Sequence, residues 1–231
     1  AGGDMEDDAV LVTQGVCRVD LSEALGGEEE IARWSDELSQ PTPLSLFAED
    51  GEYAQYRNIR DDEALGFPFE KITAALAPAL TEYFVGTVDE LRLDDGFAIH
   101  YNMDHHDTTV AKHTDPSDIT VNICLECSED LAGSQVLFFG RRPLRRREEL
   151  AAERQGSAAD EAAEEAKHEL AGGKEETFMV GPRPGWAIVH WGDHPHQTMP
   201  LEQGKRTNVV MTYCYKDPSR SGVLARTCFH Q

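Results

Sequence analysis

From residue 97 onward the chain is written as short apolar or alternating runs, each closed by turn residues: "FAIHYNM", "ITVNICLEC", "SQVLFFG", "TFMVG", "GWAIVHW" and "TNVVMTYCY". Val, Ile, Phe, Tyr and Thr dominate them, the residues that fit a pleated, half-buried surface. Runs this short and regular call for a β-sandwich or barrel. Two earlier segments carry helical periodicity instead. "EEEIARWSDELS" sets Ile31, Trp34 and Leu38 on one face behind an acidic first turn, and "FEKITAALAPALTEYFV" aligns Ile72, Leu76, Leu80 and Phe84, with a kink expected at Pro78. Ahead of both, "AVLVTQGVCRVD" reads as a strand ending near Asp20. The helices are expected as supports packed on a sheet.

One segment breaks the strand pattern. Residues 141–176, "RRPLRRREELAAERQGSAADEAAEEAKHELAGGKEE", are rich in Ala, Glu and Arg and read as an inserted helical pair broken near "QGS". It is either a solvated excursion laced with ion pairs or a lid over substrate or partner. The 231 residues suit one domain. The expected organisation is amino-terminal helical and strand support over 1–96, a β core over 97–140 and 177–216, and the charged insert over 141–176.

The formal charge of −22 disfavours tight binding to a nucleic-acid backbone. No apolar stretch approaches the roughly 18 residues that span a bilayer, so no membrane partner is expected. The start "AGGDMEDDAV" lacks the basic and apolar parts of a secretory signal, though it is compatible with a targeting segment ahead of it. Five cysteines do not make a disulfide framework in a chain this long, which favours the cytoplasm or another reducing compartment. Cys124 and Cys127 form a CxxC, but three residues along a strand point to opposite faces, and a second CxxC for zinc is missing; they read as buried structural thiols.

The chemistry concentrates in two places. In "KHTDPSDITVNICL" His113 and Asp115 stand immediately before a strand, and "GWAIVHWGDHPHQTMPLEQGKRTNVV" contains His190, His194, His196 and, ten residues after the last, Arg206. Two His and one carboxylate leave three coordination positions open, as in a non-haem Fe(II) oxygenase. An arginine on a neighbouring strand is suited to hold the far carboxylate of a chelating co-substrate with a two-pronged contact. His105 and Asp107 in "NMDHHDTTV" make a second His-x-Asp, but it lies in a polar loop with no such strand behind it, so His105 and His106 read as entrance or plain loop residues.

These residues resemble the Fe(II)/2-oxoglutarate-dependent dioxygenases, in particular the prolyl and lysyl hydroxylase branch. The matching pieces are His113-Thr-Asp115 with "TVNICL" behind it, "GWAIVHWGDHPHQTMP", and "GKRTNVV". Tyr101, Asn122, Pro200 and Arg206 stand where the lysyl hydroxylase catalytic domains have a Tyr, an Asn, a Pro and an Arg. The resemblance covers residues 97–215 outside the insert and does not reach the first 90.

The resemblance implies a mainly β fold with flanking helices around a double-stranded β-helix, the jelly-roll, cupin-like core. It implies Fe(II) on His113, Asp115 and His196, with His190 and His194 left to packing or supporting hydrogen bonds. It further implies 2-oxoglutarate held by Arg206 and Tyr101 with Asn122 nearby, dioxygen as oxidant, and ascorbate as a candidate reductant. The implied reaction is hydroxylation of an unactivated C–H bond with release of succinate and carbon dioxide. A peptidyl lysine or proline is the preferred substrate; a free amino acid or small metabolite is the alternative. A non-catalytic metal-binding β-barrel and a cupin-type enzyme using more histidines without 2-oxoglutarate stay open. Trp186 and Trp191 are expected to pack the barrel.

Overall fold

The computed structural model describes residues 9–40, 45–46, 55–84, 88–142 and 176–221. The chain opens with β1 (Ala9–Thr13) and β2 (Val16–Asp20), then α1 (Glu28–Ser39), β3 (Ser45–Leu46), β4 (Gln55–Asn58) and α2 (Phe69–Tyr83). The β core follows: β5 (Leu91–Asn102), β6 (Val110–His113), β7 (Ile119–Cys127), β8 (Ala132–Gly133), β9 (Val136–Phe139) and β10 (Thr177–Val180). It ends with β11 (Trp186–Trp191), β12 (His196–Thr198), β13 (Leu201–Gln203) and β14 (Lys205–Tyr215). The single strand expected up to Asp20 is therefore a hairpin. Gly15, at φ 83°, takes the left-handed conformation its turn needs. Most of the expected insert lies outside the described residues; its two ends meet where Arg141 pairs with Glu176 at 2.8 Å.

Eight strands form one sheet in the order β1-β2-β11-β7-β14-β5-β4-β3, and four form a second in the order β10-β9-β12-β6. The strand pairings are antiparallel. This is the double-stranded β-helix, mainly β with flanking helices. The first 96 residues supply four strands of the larger sheet as well as both helices.

The larger sheet is covered on both faces, which is why β11 is buried at every position and reads as a near-continuous apolar run. On one face Ile31, Trp34 and Leu38 of α1 and Ile72, Leu76 and Leu80 of α2 join Ile119, Val121, Val189, Val209 and Met211 in the main core. Trp191 belongs to this core, as expected. On the other face Val16 and Ile188 meet Val136, Phe138 and Val180 of the smaller sheet.

Strand alternation decides what else lies between the sheets. Because Ile119, Val121 and Ile123 face the helices, Thr120 and Asn122 face the smaller sheet; by the same rule so do His190 on β11, Arg206 and Asn208 on β14, and Tyr101 on β5. The polar residues of the sequence pattern are thus brought to one interior face.

Candidate functional site

β6 delivers His113 to the gap between the sheets, and the chain turns through Asp115 before β7 begins. The Asp115 amide donates to the Gly192 carbonyl at 2.7 Å, tying this turn to the connection between β11 and β12. The approach is close: a Cβ on Gly192 would collide with the Ser117 carbonyl, so only glycine leaves the turn in place. From the facing strand, His196 pairs in register with His113.

The nitrogen and oxygen atoms that His113, Asp115 and His196 offer lie within 4.8 Å of one another. Nε2 of His113 is 3.3 Å from Asp115 Oδ1, and Nε2 of His196 is 3.7 Å from Asp115 Oδ2. Nδ1 of His113 lies 2.8 Å from the Ala111 carbonyl and Nδ1 of His196 lies 2.9 Å from the His194 carbonyl. A carbonyl only accepts, so each Nδ1 carries a ring proton and, in the neutral ring, each Nε2 presents a lone pair to the centre. On His113 that Nε2 can instead take up a proton shared with Asp115, which a cation would displace. Such backbone anchors orient metal-binding imidazoles. Thr120 donates its hydroxyl to Asp115 Oδ2 at 2.6 Å, and the Ser117 hydroxyl supports Thr120 at 2.8 Å.

The electrostatics agree with a cation site. Burial opposes the charge on Asp115, but the hydrogen bond with His113, the nearby His190 and His196 rings and the Thr120 hydroxyl outweigh it and hold the carboxyl well below the usual carboxylate range. Burial pushes His196 down and favours its neutral form, although Asp115 opposes that shift. His113, more exposed and hydrogen-bonded to Asp115, is raised. A carboxylate and two imidazole lone pairs aimed at one point form a donor set that fits Fe(II).

Among the described residues this trio is the only such cluster. His105 takes no part: its Nδ1 accepts from the Asn102 amide at 3.2 Å, closing the loop after β5, and its ring stands edge-on to His100. His194 turns away and donates from Nε2 to the Gly140 carbonyl at 3.2 Å. His190 differs. It lines the cavity with its Nε2 3.8 Å from Asp115 Oδ2, closer to the carboxylate than a packing residue requires.

A cavity of about 180 Å³ runs from the trio to Arg206, with Tyr56, Tyr101, Asn122 and Asn208 along it. Arg206 is 2% exposed, donates from Nη1 to the Ser134 carbonyl at 2.6 Å, and leaves Nε without a partner. Among the described residues no carboxylate lies within ion-pair distance of it. Its guanidinium sits 5.1 Å from the centre of the Tyr101 ring, and the Tyr101 and Tyr56 hydroxyls are 3.3 Å apart. Asn122 accepts from the Asn208 amide, so its oxygen is already engaged. Tyr56, on β4, was not found by sequence reasoning. Its one signal is an alternating "EYAQYRN" in a segment outside the recognisable motif.

The CxxC corrects a sequence expectation. Asn208 pairs with Cys124 but Thr207 pairs with Glu126, so Leu125 is bulged, and Cys127 comes to lie opposite Arg206. The bulge cancels one step of alternation and sets the two thiols near each other instead of on opposite faces, with the Cys124 thiol donating to the Glu126 carbonyl at 3.4 Å.

No protein-family model matches the chain. A curated relative from Arabidopsis thaliana, the 2-oxoglutarate and iron-dependent oxygenase domain-containing protein CP2, is 25% identical over 159 residues, 68% of this chain and 34% of the relative. The chain thus spans about a third of the length of that relative. The non-heme alpha ketoglutarate dependent epimerase SnoN from nogalamycin biosynthesis superposes with a TM-score of 0.56 at 16% identity, covering 87% of this chain and 78% of its own. HygX from Streptomyces hygroscopicus, solved with nickel and 2-oxoglutarate, gives 0.53 at 14% identity over 88% of this chain and 84% of its own. A prolyl hydroxylase from Trichoplax adhaerens, solved with a peptide fragment of hypoxia inducible factor, gives 0.51 at 13% over 90% and 86%. The solved structures share the double-stranded β-helix with this chain, and the plant relative shows that its sequence is similar to that of a 2-oxoglutarate and iron-dependent oxygenase domain protein.

Proposed function

We propose that the chain is an Fe(II)- and 2-oxoglutarate-dependent oxygenase that hydroxylates an unactivated C–H bond, with a peptidyl lysine or proline as the preferred substrate class. The observation that carries this reading is the cavity joining the trio to Arg206. A buried guanidinium without a carboxylate partner is costly, and the cost is relieved when an anion enters. A small dicarboxylate with a metal-chelating end matches a site with metal donors at one end and a cation at the other.

When bound, iron with the keto acid and dioxygen supplies the oxidising power for C–H hydroxylation, with succinate and carbon dioxide as co-products. His113, Asp115 and His196 would hold the iron, and Thr120 keeps Asp115 turned toward it. Arg206 offers Nε and its remaining amino group to the far carboxylate, beside the Tyr101 hydroxyl. The enclosing strands keep water out and strengthen each of these contacts.

The net charge of −22 suits a basic peptide, and a peptide-bound prolyl hydroxylase is among the structural neighbours. The epimerase among them favours a second reading, a small metabolite. The test is succinate formation from 2-oxoglutarate under air with Fe(II) and ascorbate, comparing wild type with His113→Ala, alone and with pools of lysine peptides, proline peptides or small metabolites. Succinate that depends on His113 and rises with one pool supports the reading and selects the substrate class. Iron-loaded protein that makes no succinate above the variant with any pool would leave a metal-binding interaction module instead.

A further inference from the structure

We propose that Ser134 is a positioning residue for Arg206, and that its turn sets the span from the guanidinium to the metal donors and so selects the chain length of the keto diacid. This rests on the iron and 2-oxoglutarate reading above.

Ser134 acts through its backbone. Its side chain is fully buried, yet the hydroxyl has no hydrogen-bond partner. Its carbonyl accepts from Nη1 of Arg206 at 2.6 Å, the one hydrogen bond that the Arg206 side chain makes among the described residues. With Nη1 held there, the planar fork cannot turn about the end of its chain, and Nε and the second amino group keep a fixed direction.

The carbonyl reaches Arg206 because the chain takes an uncommon path. Gly133 and Ser134 both lie in the left-handed region, at φ 76° and 65°, and Ser134 is the only residue other than glycine to do so among the described residues. For a serine that conformation is unfavourable and persists only where its neighbours impose it. The neighbours are residues 199–201. The Ser134 amide donates to the Pro200 carbonyl at 2.9 Å, the Met199 amide donates to the Gln135 carbonyl at 2.8 Å, and Gly133 pairs with Leu201. A Cβ on Gly133 would collide with the Pro200 carbonyl, so the two backbones are in direct contact.

Residues 199–201 continue directly from β12, which carries His196. One short run of chain therefore holds a metal donor at its start and, through Ser134, the guanidinium at its end. A keto diacid that chelates the metal must reach Arg206 across that span. One methylene more or less in a fitted pocket changes binding by about 10- to 200-fold. A guanidinium free to shift would accept the longer acid and lose that discrimination.

The experiment measures binding of 2-oxoglutarate and of 2-oxoadipate, one methylene longer, to Co(II)-loaded protein by calorimetry. Wild type is expected to favour 2-oxoglutarate by about tenfold or more. Ser134→Val and the milder Ser134→Thr place a β-branched residue where the left-handed conformation is least accessible. Each should cut the preference by about fivefold or more and keep Co(II) affinity within about threefold. Ser134→Gly takes the conformation freely and should keep the preference. In an Arg206→Met background Ser134→Val should change 2-oxoglutarate affinity by less than about twofold, which a general loss of packing would not reproduce. Equal affinities in wild type, an undiminished preference in the β-branched variants, or an equal loss in Ser134→Gly overturn the proposal. If Ser134→Val does not fold, Ser134→Thr carries both comparisons. Wild type that binds Co(II) but neither keto acid removes the 2-oxoglutarate reading itself rather than only the role of Ser134.

Discussion

His196 and His113 face each other across the pairing of β12 with β6, their ring centres 4.3 Å apart, although most of the β core separates them in sequence. Each Nδ1 is tied to a backbone carbonyl, so removing either imidazole removes a preset donor without disturbing the other. His113→Ala and His196→Ala should each weaken Co(II) or Fe(II) binding by at least a hundredfold and abolish succinate formation, while His105→Ala should keep both within about threefold. Anaerobic calorimetry reads the affinities. Normal metal binding by His113→Ala would remove the trio from consideration.

Thr120 orients Asp115 without occupying the site. Thr120→Val keeps the shape and deletes the 2.6 Å hydrogen bond to Oδ2. The expected result is a ten- to hundredfold loss of metal affinity with 2-oxoglutarate affinity changed only through the metal. An unchanged metal affinity would mean that the turn around Asp115 is held by its backbone alone.

Arg206 combines stability and function in one residue. Arg206→Met leaves an apolar chain of similar length where a buried cation lacked a carboxylate, and should raise the stability of the unliganded protein by about 1 kcal/mol or more. The same substitution should weaken 2-oxoglutarate binding by at least a hundredfold with metal affinity preserved. Melting temperature without ligand and calorimetry with 2-oxoglutarate give the two readouts. A less stable variant would show that the Ser134 carbonyl contact outweighs the burial of the charge.

The elements that proved legible in sequence are those specified locally. Ile31, Trp34 and Leu38 mark α1 by their spacing, and His113 with Asp115 announces the trio because a His-x-Asp ahead of an alternating strand needs no tertiary information. Arg206 is legible for a related reason: a basic residue beginning an apolar strand must be answered by something buried. Three features depend on contacts that spacing does not carry. Tyr56 reaches the cavity only because β4 adds to the sheet beside β5, far from the motif in sequence. His190 is readable as inward-facing, but its approach to Asp115 depends on how the β11–β12 connection folds over Ser117. The contact between Cys124 and Cys127 depends on one bulged residue, Leu125, and a one-residue slip reverses every later side chain.

That bulge makes a prediction about thiol chemistry. Contact with Cys124 brings the Cys127 thiol down to about 7 from an ordinary value of 9.0, while the same contact and burial push Cys124 far up. Only the thiolate is alkylated, so the iodoacetamide rate at Cys127 should rise as pH increases through about 7, and Cys124 should stay unreactive in the folded protein. Mass spectrometry after a pH series locates the label. In Cys124→Ala the Cys127 midpoint should return toward 9.0. A wild-type midpoint already at that value would show that the two thiols do not meet in solution.

Acid should destabilise the metal-free protein well before its carboxylates titrate. His100 is buried against Thr207, its Nδ1 2.9 Å from that hydroxyl, and burial together with the neighbouring His105 lowers it from 6.5 to about 4. His105, His190, His194 and His196 are lowered as well, each chiefly by burial, and only His113 among the shifted histidines is raised. The sign follows from proton uptake. Below about 6.5 the unfolded chain protonates these rings while the folded chain resists, so folding stability falls with pH, and the His100 share is fully lost by about pH 4. For His100 that share is on the order of 3 kcal/mol at most. His100→Gln, which keeps a hydrogen bond to Thr207 but does not titrate, should flatten the decline of melting temperature between pH 6.5 and 4 measured in the presence of a chelator. Equal slopes for wild type and variant would mean that His100 is protonated in the folded state with little penalty, and that the loss of stability comes from the histidines around Asp115.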